Sequence, residues 1–376
     1  MQTGLDNLRE LRRGDRKKLN RRIAVMFIAV IGLFLAMCCM RTTVIGFISP
    51  VTAVKNICAM LRVTLVDLFG WGSLSAADII SGHSYYYETV GMFKSALLVI
   101  VTGAVLSMAG GVVQCVFRNP IATASMLGVS SSVNIVNMIL VITYSSSIYQ
   151  MIQMRYVLSY AVSLGSLLII YIISRLMGGK KSSVTDMLLV GTVFMRIVQN
   201  FVQVYQYYYM TEDDYLILEE LNTYGTTAYE TQTLLVMYGL LLVCVLILSS
   251  MRFSLNAISF DDDDSRTLGI RADRLRLIAL VCAVMMESMA QVNYGNIGML
   301  SLLIPHVCRY WLGSDFRVVL LGSAGLGAVT LLVCRLIMYL LSFNYYLSLI
   351  SMGSIISVIT TPLLIIVLLQ QKRGWT

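Results

Sequence analysis

Long apolar runs, each close to 20 residues, recur along the whole chain and leave little polar sequence between them. A membrane-spanning helix needs about 20 consecutive apolar residues, whereas a membrane β-strand alternates apolar and polar positions over about ten. Because these runs are continuous, the pattern predicts an all-α polytopic membrane protein. The ten predicted spans lie near residues 23–40, 92–113, 127–143, 157–177, 185–209, 232–250, 275–293, 297–311, 318–341 and 347–369.

The basic residues predict how the chain is oriented. A basic segment, residues 1–22, precedes the first span, and most of the 28 lysines and arginines fall in segments that ten spans place on the same side as this segment. Positive charge favours the cytoplasmic side of a membrane. We therefore expect both termini in the cytoplasm, a transmembrane domain over 23–369 and a cytoplasmic tail over 370–376. Arg155 is among the few basic residues expected on the outer side.

The net charge of +8 would also suit a nucleic-acid-binding protein. Here the basic residues flank spans and have no soluble domain to carry them, so the orientation rule explains them and we expect no nucleic acid as a partner. The longest outer segment, about 41–91, is moderately apolar, and its residues 51–69 have a helical pattern of apolar and polar positions. This pattern predicts a helix lying at the membrane interface.

Polar side chains recur on one face of the fifth predicted span. Spacings of three, four and three residues separate Arg196, Gln199, Gln203 and Gln206. Polar groups at this depth are costly unless they face water, a cavity or each other. The stripe therefore predicts the lining of a solute pathway or, alternatively, a buried seam between helices. In the third span, Ser130, Asn134 and Asn137 also share one face.

The seventh predicted span carries one acid, Glu287, one turn before Gln291. An ionised carboxylate within a membrane needs a partner, and the arginines within spans, Arg196 and Arg335, are the candidates. A proton relay through Glu287 is the alternative.

The segment 252–276 is the longest polar interruption in the second half of the chain. Four acids followed by a glycine predict a short helix with an acidic first turn and a glycine stop. Such a helix lies on a membrane surface or docks on a partner protein, unless it is simply a solvated loop. The residues concerned are Asp261, Asp262, Asp263, Asp264, Arg266, Leu268 and Gly269.

Two strings of residues resemble the signature of FecCD-type permeases, the membrane subunits of bacterial ATP-driven importers of iron chelates, haem and cobalamin. The first string contains Gly110, Gln114, Asn119, Pro120 and Gly128. The second contains Gly298, Pro305, His306 and Arg309, and is preceded by Arg266, Leu268 and Gly269 in the inner segment. With the ten spans, the resemblance covers nearly the whole chain.

The resemblance implies a permease subunit, not an enzyme, that takes up an iron chelate such as a siderophore or haem across a bacterial inner membrane. It implies two permease subunits, identical or different, around a central pathway, and an extracytoplasmic binding protein that delivers the cargo. It also implies that 261–269 docks on a separate ATPase subunit. Because the chain has no phosphate-binding loop, ATP and Mg²⁺ would be bound by that subunit, and we expect no cofactor in this chain.

Two features limit what the resemblance implies. Family members usually carry paired arginines at the start of the second span, which are thought to meet acids on the binding protein; here Lys94 is the only base. His306 and His83 are the only histidines, and a single histidine makes a poor metal site, so we expect no bound metal.

The alternatives to an importer of iron chelates are a cobalamin importer of the same family and a secondary transporter driven by an ion gradient.

Overall fold

The fold is helical, as the apolar runs predict. In this computed structural model the described residues are 2–41, 46–69, 80–144, 147–178, 184–224, 231–258, 272–341 and 350–373. The helices are α1 (Gln2–Cys38), α2 (Pro50–Phe69), α3 (Tyr86–Phe117), a 3₁₀ turn (Ala124–Leu127), α4 (Val129–Tyr144), α5 (Ile148–Gly178), α6 (Val184–Tyr209), α7 (Glu212–Tyr224), α8 (Thr231–Ser250), α9 (Arg252–Ile258), α10 (Ala272–Tyr294), α11 (Met299–Leu312), α12 (Phe316–Leu341) and α13 (Met352–Arg373).

Each of the ten predicted spans coincides with one of these helices, although not every helix is long enough to cross a bilayer. Within the described residues, six helices have the length and apolarity of a span, or seven if α8 and α9, which are bent by 60°, form one broken span. The apolar parts of α4 and α13 are shorter. The 14 residues of α11 would rise only about 21 Å, against a hydrocarbon core of about 30 Å.

Among the described helices, α2, α7 and α9 lie between predicted spans. α2 confirms the predicted helix over 51–69: the Ser49 hydroxyl accepts a hydrogen bond from the backbone N–H of Thr52 (3.2 Å), and Pro50 occupies the first helical position. α7 was not predicted from the sequence. Its first turn carries three acids, which suit a helix N-terminus, but it lacks the apolar run by which the other helices were recognised.

The chain divides into two compact units. The first comprises residues 1–101 and 328–349. In it Phe34 of α1 packs edge-on against Phe93 of α3, with ring centroids 5.4 Å apart. The Asn56 side chain of α2 is fully buried and donates to the Ser84 carbonyl at 2.9 Å, which fixes α2 beside the start of α3.

The second unit comprises residues 102–327 and 350–376. α10 is buried along most of its length, and α4, α5 and α8 pack on it. α4, α5, α6 and α7 share a core cluster of Val136, Met138, Leu140, Val141, Met151, Val202, Leu218 and Leu221. The polar side chains described next are carried by these same helices, so the core fixes their positions.

Candidate functional site

A small polar cavity lies within the second unit. Its volume is about 30 Å³, enough for one or two water molecules. Three residues of the predicted pathway line it: Ser130 and Asn134 from α4 and Gln199 from α6. The remaining lining residues are Val133, Asn137, Leu221, Asn222, Gln291, Gly295 and Asn296. Residues from four helices therefore converge on one polar space, which is far too small for a metal chelate.

Hydrogen bonds between helices hold the cavity walls in place. Gln291 of α10 donates from Nε2 to Ser130 Oγ of α4 at 2.6 Å. Asn137 of α4 donates from Nδ2 to Asn222 Oδ1 of α7 at 2.7 Å. The φ angle of Gly295 is +68°, and a Cβ there would collide with the Asn222 carbonyl, so the end of α7 lies directly on the turn after α10. Spacing did not point to Asn222, because α7 itself was not predicted.

Arg155 is also part of this network, although the predicted spans leave it in the outer segment before the fourth span. α5 begins at residue 148 instead of about 157, so Arg155 lies inside the helix and is fully buried. It donates from Nε to Asn137 Oδ1 at 2.7 Å and from Nη2 to the Leu221 carbonyl, near the C-terminus of α7, at 2.9 Å. A buried cation is stable only where such acceptors replace water. Arg155 therefore joins α5, α4 and α7.

Only part of the polar stripe of α6 faces the cavity. Gln199 lines it, and Gln206 is half-buried, but Arg196 and Gln203 are exposed. Because a helical turn has 3.6 residues, spacings of three and four spread the stripe over a sector of the helix surface. Val202 packs into the core on one side of that sector, which leaves Arg196 and Gln203 on the other. A pathway lined by all four residues stays a prediction for an assembly of two permeases.

Glu287 of α10 is fully buried, and its carboxyl group accepts a hydrogen bond from a hydroxyl group. Ser125 of the 3₁₀ turn donates from Oγ to Glu287 Oε1. Within the described part of the second unit, no arginine lies within ion-pair distance of the carboxyl group, and Arg196 is exposed. Arg335 belongs to the first unit, so its pairing with Glu287 stays a hypothesis. Gln291 Nε2, 3.4 Å from Ser125 Oγ, links this group to the cavity wall.

The two motif strings pack against each other. Gln114 of α3 donates from Nε2 to the Leu302 carbonyl at 3.0 Å, and its Oε1 accepts from Arg309 Nη1 at 2.7 Å, so one side chain joins two residues that are nearly two turns apart on α11. Pro305 has no N–H, which leaves the Ser301 carbonyl without its usual partner within the helix. Gly110 lies directly against that carbonyl, where any side chain would collide.

The other motif residues shape helix ends or pack inside. Asn119, after the end of α3, accepts from the Ile121 N–H at 3.0 Å through Oδ1, around the exposed Pro120. Gly128 ends the 3₁₀ turn with a φ of +85°, and Gly298 precedes α11. His306 is buried, and its Nδ1 donates to the Leu302 carbonyl at 3.0 Å. In the described ranges no three acidic, histidine or cysteine side chains cluster as metal ligands.

Comparison with known proteins identifies this arrangement. The model of the FecCD transport family matches residues 58–370, which include both motif strings. The chain belongs to the FecCD transport family.

Individual relatives agree with the family assignment. The chain is 26% identical to a Helicobacter pylori permease named for iron chelatin transport, over 74% of this chain and 87% of that protein. It is 25% identical to a Staphylococcus aureus permease named for haem-iron transport, over 74% and 80%. A solved structure described as an inward-facing metal-chelate type ABC transporter has the same fold, with a TM-score of 0.72, 18% identity and coverage of 93% and 99%. This FecCD chain is thus a multi-pass membrane permease, not an enzyme.

The predicted coupling residues Asp261–Asp264, Arg266, Leu268 and Gly269 lie outside the described residues, but the helix before them is well anchored. Arg118, just after α3, donates from Nε (3.0 Å) and Nη2 (2.9 Å) to the carbonyl of Ile258, the last residue of α9. Asn256 of α9 accepts from the Phe316 N–H, at the start of α12, at 3.0 Å. α9 is therefore held to the end of α3 and to the start of α12. Lys94, the base that the resemblance connects with docking of the binding protein, is exposed on α3 in the first unit.

Proposed function

We propose that this permease imports an iron chelate, a siderophore or haem, with ATP hydrolysed by a separate subunit. The observation that carries the proposal is the family match over 58–370, together with relatives named for iron chelatin and haem-iron transport. In this proposal the chain lies in a bacterial inner membrane with both termini in the cytoplasm. It pairs with a second permease and receives cargo from an extracytoplasmic binding protein.

The proposal assigns coupling to 261–269 and to the contacts of α9. ATP-driven closure of the ATPase subunits moves the 261–269 segment, and α9 carries that movement to α3 through Arg118 and to α12 through Asn256. Rigid helices joined by such contacts move as bodies, which is how alternating access is commonly achieved.

The polar cavity is proposed as a closed part of the cargo pathway. At about 30 Å³ it admits water but not a chelate. Its walls come from α4, α6, α7 and α10, so a change in their packing would join it to the space between two permeases, where the exposed Arg196 and Gln203 would add to its lining.

The proposal is tested by purifying the tagged permease from detergent-solubilised membranes and assaying ATPase activity with iron chelates, haem and cobalamin. We expect an ATPase subunit to co-purify and an iron chelate or haem to stimulate it. Changing Leu268→Arg and Gly269→Leu should remove the ATPase subunit, whereas Leu216→Arg, at an exposed leucine of α7, should not. Stimulation by cobalamin alone would identify cobalamin as the cargo instead of an iron chelate or haem. A permease that never co-purifies with an ATPase would refute the proposal.

A further inference from the structure

α2 has one face with no partner in the described structure. Its buried side carries Ala53, Asn56 and Ala59, which are at most 2% exposed. On the opposite side Val51 is 65% exposed, Val54 50% and Leu61 54%, and Cys58 is exposed as well. Spacings of three, four and three residues place Val51, Val54, Cys58 and Leu61 on a single helical face. We call these four residues the α2 apolar strip.

Two exposed basic residues border the α2 apolar strip on one side. Lys55 and Arg62 are seven residues apart, which is nearly two turns, so they lie on the same edge of the helix next to the strip. An apolar face with lysine and arginine along its border is typical of helices that lie in a lipid headgroup region.

The topology places α2 at a membrane face. It lies between two consecutive helices of spanning length, α1 and α3, so the segment joining them starts and ends on the same side. α2 is not one of the described helices with the apolarity of a span, because Lys55, Arg62 and Asp67 interrupt it. A helix that is tied to the ends of two spans, and does not itself span, must lie at the boundary of the bilayer.

Hydrogen bonds set the level of α2 relative to α3. Asn56 Nδ2 donates to the Ser84 carbonyl at 2.9 Å and to Thr89 Oγ1 at 3.0 Å, so α2 is fixed beside the first turn of α3. Exposed tyrosines, Tyr85 and Tyr87, occur at that level. Tyrosines concentrate where hydrocarbon meets the headgroups.

We propose that α2 is a lipid-binding helix: the α2 apolar strip enters the outer part of the hydrocarbon, while Lys55 and Arg62 bind the phosphates of anionic phospholipids. The preceding span, α1, is mostly exposed and carries apolar side chains such as Leu35 that lipid would meet. The sign of the two border charges selects anionic headgroups. This inference concerns residues 50–62 and does not depend on the cargo.

The experiment uses the full-length permease in lipid nanodiscs, with a spin label on the natural Cys58. Cys39, which is half-buried, is changed to serine, whereas the remaining cysteines are buried. Collisions of the label with oxygen, which dissolves in hydrocarbon, are compared with collisions with a water-soluble nickel chelate. The same comparison is made for labels at Val54→Cys and Leu61→Cys, and for the matched control Lys55→Cys, each with Cys58→Ser.

We expect oxygen to exceed nickel collisions at positions 54, 58 and 61, and the reverse at position 55. Replacing part of the phosphatidylcholine with phosphatidylglycerol should move the Cys58 label deeper, and Lys55→Gln with Arg62→Gln should remove that shift. Equal nickel access at all four positions would overturn the proposal by placing the strip in water. Low access to both reagents would overturn it by showing that protein covers the strip, and an unchanged label depth would refute the anionic contact.

Discussion

The contact between Gln114 and Arg309 allows the most direct test of how the two motif strings stabilise the permease. Gln114→Leu keeps the size of the side chain but removes one acceptor and one donor, at 2.7 Å from Arg309 Nη1 and 3.0 Å from the Leu302 carbonyl. A hydrogen bond to a charged group contributes about 1.5–3 kcal/mol in soluble proteins, and a neutral one about 0.5–1.5 kcal/mol.

Within membranes such bonds contribute less, about 0.6 kcal/mol on average, because the unfolded state also finds partners there. We therefore expect Gln114→Leu to lower the free energy of unfolding by about 1–3 kcal/mol, most of it through the charged contact. The measurement is a double-mutant cycle with Arg309→Met, using reversible unfolding in mixed micelles. The control is Gln203→Leu, the same change at an exposed glutamine, which should cost almost nothing. If the effects of Gln114→Leu and Arg309→Met simply add, the contact carries no energy and the reasoning is refuted.

Three further changes test other contacts. Gly110→Leu should prevent the approach of α3 to the Ser301 carbonyl, and loss of folded protein in size-exclusion chromatography should follow, whereas Gly239→Leu, at a glycine with open space, should fold. Arg155→Met should leave two buried acceptors without donors and cost about 2–5 kcal/mol of unfolding free energy in the same micelle assay; an unchanged midpoint would contradict this. The pKa of Asp315 is lowered by the hydrogen bonds from Arg317, so this pair adds stability above the ordinary aspartate pKa of about 3.9 and loses it as the pH falls through the lower folded value. Asp315→Asn should remove this contribution at neutral pH and, with it, the loss of stability in acid, and identical pH profiles of the two proteins would argue against it.

The sequence was informative where apolar runs are long. The spans of α1, α3, α5, α6, α10 and α12 were predicted because lipid requires continuous apolar helices. α7 was not predicted because it has no such run. Its residue Asn222, which lines one side of the cavity, was therefore not predicted as part of the site either. Helix existence is thus predictable where a single physical requirement dominates.

Side-chain environments were harder to predict. Arg155 was placed in a segment between two spans because the apolar run that follows it starts near residue 157. Nothing in its neighbourhood indicates that Asn137 and Leu221 accept from it. Gln114 and Arg309 are 195 residues apart, so their contact depends on tertiary packing that spacing cannot give. The family resemblance marked both residues but did not give their contact.

The central claim is that ATP hydrolysis by a partner drives an iron chelate through this permease. The most direct measurement is uptake of a radiolabelled iron chelate into proteoliposomes that contain the permease with its co-purified ATPase and binding protein. Uptake should require ATP on the ATPase side, persist when ion gradients are collapsed, and disappear with Leu268→Arg and Gly269→Leu. Uptake that continues without ATP and stops when the gradients are collapsed would contradict the account and favour a secondary transporter.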